Sequence, residues 1–163
     1  MFWLKRTALA ACCMAAAGGL CAFDLQYGSF FKIDSVSVQD SRPVLPLSRG
    51  KYANLRVLDR ETFELLKSCP VRCRQEAASA KPEVSEIRAA KTRKGMWIAD
   101  VSFGGRWLVT FLIFQNKDGY GVKEPEHFVF LDQRLKRDVQ DLLSRAAAGS
   151  SAQDASARTE DKK

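Results

Sequence analysis

Few side chains in this chain could do chemistry. His127 is its only histidine, and Asp100 and Ser102 are the residues that could complete a Ser-His-Asp set with it. In such a set the imidazole takes the serine proton and the carboxylate fixes the imidazole tautomer. Geometry defines those roles, and Ser102 lies in mid-strand, without the turn that presents a nucleophile. Glu124 and Glu126 flank Pro125 as possible paired acids; capping of an exposed turn is the simpler reading. Gly119-x-Gly121 precedes no helix and so does not make a phosphate loop. One histidine gives too few ligands for zinc. The chain therefore reads as non-enzymatic, with no cofactor and no metal. A small hydrolase or enzyme modulator with a site near His127 is the alternative.

The cysteines carry the other possible chemistry. Lys5 and Arg6, the uncharged run Thr7–Leu20 and Cys21-Ala22 before Phe23 have the layout of a secretory signal. Cleavage is expected after Ala22, with a cut after Gly19 as the variant. The apolar run is short of the roughly 20 residues that a transmembrane helix needs, so no integral span is expected after cleavage. Retention as an anchor, or lipidation at Cys12, are the alternatives. Of five cysteines only Cys69 and Cys73 then remain, an even pair in an oxidising compartment. A disulfide is expected between them, fixing where the chain leaves a helix. A redox pair prefers Cys-x-x-Cys at a helix N-terminus, which this spacing does not match.

The element that must position everything else is Met96–Gln115, two strand-like runs around Gly104-Gly105. A two-residue Gly-Gly turn would pair Phe103 with Arg106 and Val101 with Leu108. Trp97, Ala99, Val101 and Phe103 would then share a face with Leu108, Leu112 and Phe114. Trp107, Val109, Phe111 and Ile113 would take the other face, so both faces would need covers. Trp97 and Trp107 would lie on opposite faces, with Trp107, near the turn, as an exposed interaction anchor.

Around this hairpin, Glu86–Thr92 makes it a three-stranded antiparallel meander. Lys32–Gln39 and Lys51–Leu58 read as strands, and Val44–Leu47 as an extended edge. Asp59 caps a helix to about Ser68, with Phe63 and Leu66 on its apolar stripe. Gln75–Val84 reads as a surface loop. Tyr120–Lys123 and His127–Leu131 are further strands. Asp132 caps a helix over Gln133–Ala147 with Leu135, Val139, Leu142, Leu143 and Ala146 on one stripe. The expected organisation is a signal over 1–22, one α+β domain over 23–148 and a disordered tail over 149–163. The fold class is an antiparallel meander with a C-terminal amphipathic helix on one face; a β-sandwich with a peripheral helix is the alternative.

Successive meander turns fall at opposite ends of a sheet. Arg88, Lys91, Arg93, Lys94 and Lys117 should therefore form one basic rim. Such a rim discourages edge pairing and could also face an anion. Removing Lys5 and Arg6 lowers the formal charge from +7 to +5, compatible with an anionic partner. No basic run suggests a nucleic-acid arm. The functional expectation is a periplasmic or secreted binding or assembly accessory of the cell envelope, with a protein or an anionic envelope component as partner. An anion-binding module built on the rim is a further alternative.

Overall fold

The computed structural model describes residues 22–46, 54–69, 72–91 and 93–160. The segment expected as a leader, up to residue 21, and the first three residues of the strand expected over Lys51–Leu58 lie outside them; the rest of that strand is found at Leu55–Val57. The described elements are β1 (Phe23–Tyr27), β2 (Phe31–Gln39), β3 (Arg42–Val44), β4 (Leu55–Val57), α1 (Arg60–Ser68), β5 (Arg72–Gln75), β6 (Pro82–Ala89), β7 (Met96–Phe103), β8 (Trp107–Asn116), β9 (Gly119–Lys123), β10 (Phe128–Phe130) and α2 (Gln133–Glu160). The protein is α+β, built mostly of antiparallel sheet with α2 packed against it.

Two five-stranded sheets form. The first runs β10-β2-β1-β5 with β3 beside β2; the second runs β4-β8-β7-β6 with β9 beside β8. The meander β6-β7-β8 is therefore present, and β9 extends it. β10 joins the first sheet, antiparallel to β2, instead of the meander. The one parallel pair among these ladders is β1 with β5. It lies where a surface loop was expected to begin: Gln75 and Ala80 are buried.

The hairpin register departs from the expected one. Phe103 pairs with Trp107, so the loop is Gly104-Gly105-Arg106, one residue longer than a Gly-Gly turn. Both glycines have positive φ, at 56° and 68°. Side chains alternate along a strand, so one residue of slip moves the whole of β8 to the other face. Trp97, Ala99, Val101 and Phe103 now share the inner face with Trp107, Val109, Phe111 and Ile113, and all eight are buried. The two tryptophans lie on the same face, and Trp107 is fully buried.

This register answers the question of covers. Phe31, Phe128 and Phe130 of the first sheet meet Phe103 and Phe111 of the second, with ring centroids 5.3–6.3 Å apart. α2 lies against β6 and β9, and Leu135, Val139, Leu143 and Ala147 enter the same core as Trp97 and Ile113. One inner face is thus shared by two covers. The buried row of α2 runs through Leu135, Val139, Leu143 and Ala147, and the helix continues to Glu160 through residues whose composition suggested a tail.

Asp59 caps α1 as expected, its Oδ1 accepting the Thr62 amide at 2.9 Å. The buried row is Thr62 and Leu66, whereas Phe63 is exposed, because the Thr62 hydroxyl is drawn inward. Gln75 Nε2 donates to it at 2.5 Å, and Gln75 Oε1 accepts from Trp107 Nε1 at 3.0 Å. This buried relay ties α1, β5 and β8 together. Cys69 and Cys73 stand at disulfide distance, Cα atoms 5.5 Å apart, between α1 and β5.

Candidate functional site

The outer face of the second sheet carries Met96, Ile98, Asp100 and Ser102 beside Leu108, Thr110, Leu112 and Phe114. Arg56 pairs opposite Leu108, and Arg88 opposite Ile98. Their stems lie along those apolar neighbours and their heads converge on Asp100, as long cationic side chains on apolar surface tend to do. Arg56 Nη2 is 2.7 Å from Asp100 Oδ2, and Arg88 Nη1 is 3.6 Å from the same oxygen. Thr110 Oγ1 donates to Asp100 Oδ1 at 2.6 Å. Arg88 also meets Glu86 at 3.0 Å. Asp100 is 2 % exposed and fully engaged, so this cluster neutralises itself.

That arrangement removes the triad as a geometric possibility. Asp100 points to the outer side of the second sheet, while His127 precedes β10 of the first sheet, which packs against the opposite, inner side of the second. The Asp100 carboxylate is committed to Arg56, Thr110 and Arg88. Glu124 is held by Lys136 at 2.8 Å, so it does not form an acid pair with the exposed Glu126. Among the described residues no group of three or more His, Cys, Asp or Glu side chains could hold a metal ion. No described helix is long and apolar enough to cross a membrane.

The rim assembles at one end of the second sheet. The turn after β6 is closed by the Ala90 amide on the Met96 carbonyl at 2.8 Å. The Gln115 amide then bonds the Gly95 carbonyl at 2.8 Å, and Gly95 has a φ of +72°. The β8–β9 turn starts one residue later, at Asn116 paired with Gly119. This brings Lys91, Arg93 and Lys94 of one turn beside Lys117 of the next. All four are exposed, and none forms a salt bridge among the described residues. Arg93 stacks over the Phe114 ring at 5.7 Å. Asp118 is the one carboxylate in these turns.

Two of the residues expected to make contacts do not do so on the rim. Arg88 belongs to the neutralised cluster in mid-sheet. Trp107 is at the opposite end, buried, with its indole N–H given to Gln75, so it is not a surface anchor. The cluster itself escaped sequence reading because the assumed register set Ala99, not Asp100, opposite Thr110. The signal was there: Asp100 and Thr110 are the polar interruptions of two apolar runs.

A shallow depression of about 340 Å³ on the outer side of the first sheet offers a contrast. Asp24, Gln26, Lys32 and Arg74 line it. Lys32 is paired with Asp34 at 2.9 Å and Arg74 with Glu76 at 3.6 Å, so its cations are answered within the chain. Comparison with family models, curated proteins and solved structures finds no match to this chain.

Proposed function

We propose that the protein is an exported, non-enzymatic binding or assembly accessory of the cell envelope, and that the rim at Lys91, Arg93, Lys94 and Lys117 is its contact surface. The observation that carries this reading is the contrast in charge pairing. In mid-sheet, Arg56 and Arg88 are held by carboxylates, whereas the four rim cations project without one among the described residues. Unpaired, co-located cations set up a potential that attracts an anionic partner and falls away with salt. Export rests on the leader pattern and on an even cysteine pair in the remaining chain.

The test is binding to envelope extracts across a salt series, for the wild type and for a variant with all four rim cations replaced by Gln. Wild-type binding should weaken as salt rises from about 0.05 to 0.5 M, where the screening length falls from over ten to a few ångströms. The variant should remain folded and bind weakly throughout. Binding that ignores both salt and the substitutions would overturn the reading. Replacing His127 with Ala should leave binding unchanged; an activity lost with that replacement, in a folded protein, would revive the hydrolase alternative.

A further inference from the structure

We infer that the partner of the basic rim is the anionic headgroup surface of a lipid leaflet; this rests on the reading of the rim just proposed. The argument begins with what the rim lacks. Protein partners are held by large side chains seated in pockets, mostly aromatics and arginine at the centre of the contact. Among the described residues the exposed large apolar side chains are Val44, Leu58, Phe63, Val129 and Leu131, and none lies in the rim turns. Phe114 and Tyr120, the aromatics next to the rim turns, are half-buried, the first stacked by Arg93 and the second edge-on to Trp97. Trp107 and Trp97 are both buried.

What the rim offers instead is charge on long, exposed stems. Three lysines and one arginine project from two adjacent turns at one end of a sheet, with only Asp118 opposing them. A leaflet of anionic headgroups needs neither a pocket nor a register to answer such a surface. Each basic side chain near it gains the attraction of a negative surface potential. Over the rest of the second sheet's outer face, Arg56 and Arg88 are neutralised at Asp100, which among the described residues leaves Lys123, opposite Leu112, as a single cation there beside the four of the rim. The molecule would meet the leaflet end-on, rim first, leaving both sheets and α2 clear of the lipid.

The experiment is co-sedimentation of the protein, as isolated from expressing cells, with two kinds of vesicle. One is phosphatidylcholine alone; the other contains roughly a third phosphatidylglycerol, the anionic surface of interest. Soluble poly-glutamate forms a separate arm. The wild type should favour the anionic vesicles, and its partition should drop by roughly fivefold for each rim cation changed to Gln. Changing all four should cost on the order of several hundred-fold. Arg42→Gln with Arg60→Gln removes two charges away from the rim, since α1, with Arg60, lies beside the Arg106 end of the sheet and β3, with Arg42, packs against α1. That pair should change partition far less than Lys91→Gln with Lys94→Gln. If the rim binds poly-glutamate but not anionic vesicles, the lipid assignment fails while the rim survives as an anion surface. If it binds neither, both fail. Equal loss from the two double variants would reduce the effect to net charge and overturn the site.

Discussion

The β7–β8 hairpin has two ends with opposite characters. At the Gly104 end the neighbouring side chains are closely packed and tied to α1 and the first sheet. The Tyr27 hydroxyl lies 2.8 Å from where a Gly104 Cβ would stand. Burial pushes the Tyr27 phenol above its ordinary pKa, with Asp59 adding to the rise and Arg106 opposing it. Arg106 meets Glu61 at 3.1 Å, and Trp107 feeds the Gln75–Thr62 relay. At the Gly95 end the turns are held by backbone hydrogen bonds, and the side chains face outward unpaired. Both ends are built from glycine, an aromatic residue and basic side chains. What separates them is the presence of α1 and the first sheet at one end only. A sheet rooted at one end can carry unneutralised charge at the other without loss of stability.

The largest test of that difference is to truncate two phenylalanines of β8, one in the core shared with the first sheet and one at the rim end. Phe111 is fully buried against Phe103, Phe128 and Phe130. Phe111→Ala should destabilise by about 3–5 kcal/mol, the cost of an aromatic cavity in a packed core. Phe114, half-buried under Arg93, should cost about 1 kcal/mol on truncation, in the ordinary range for point changes. Chemical denaturation of both variants reads the difference directly. Equal losses would mean that the rim end is as tightly packed as the core.

A finer test uses the two glycines of the turn. Gly104 and Gly105 have nearly the same positive φ, so alanine strains both by about 1–2 kcal/mol. An added Cβ at Gly105 meets nothing within 4 Å, whereas at Gly104 it meets Tyr27 Oη and, at 3.4 Å, the Ser79 carbonyl. Gly104→Ala should therefore be the worse of the two by a further 1–2 kcal/mol or so, the usual cost of overpacking. Adding Tyr27→Phe should recover part of that excess and nothing at Gly105. If the two alanine variants unfold together, the close approach of Tyr27 is not limiting.

These elements also mark what could be read from the chain. The Asp59 cap, the α2 stripe, the Cys69–Cys73 pair and the meander rest on local signals, and each is found in the fold. Four of the five rim residues were readable because turn alternation places Lys91, Arg93 and Lys94 beside Lys117 whatever the register; Arg88, inside β6, turns instead to Asp100. The register was not readable from hydrophobic alternation, because β8 is apolar on both faces and a two- or three-residue loop fits Gly104-Gly105 equally well. Only the match of Asp100 to Thr110 separates the two, and it gains meaning once Arg56 and Arg88 arrive from β4 and β6. β5 was hidden for a related reason. Arg72–Gln75 is polar, and it becomes a strand through parallel pairing with β1, far away in sequence.

The two tryptophans give the most selective comparison, because both sit on the inner face and both are buried. They differ in their indole nitrogens. Trp107 Nε1 donates to Gln75 at 3.0 Å. Trp97 Nε1, at the rim end and edge-on to Tyr120, has no hydrogen-bond partner among the described residues. Replacing either by Phe removes a similar volume from the same core, so that cost largely cancels between them. What remains is the hydrogen bond. Trp107→Phe leaves Gln75 Oε1 buried and unsatisfied, which should cost about 1–3 kcal/mol beyond the volume change. Trp97→Phe removes an N–H that was already paying the penalty of burial, so that difference should fall on its favourable side. A double variant, Trp107→Phe with Gln75→Leu, should recover stability relative to Trp107→Phe alone, because it removes the orphaned amide. If both single variants lose the same stability and the double variant recovers none, the Trp107–Gln75–Thr62 relay does not root the hairpin, and the contrast between its two ends rests on packing alone.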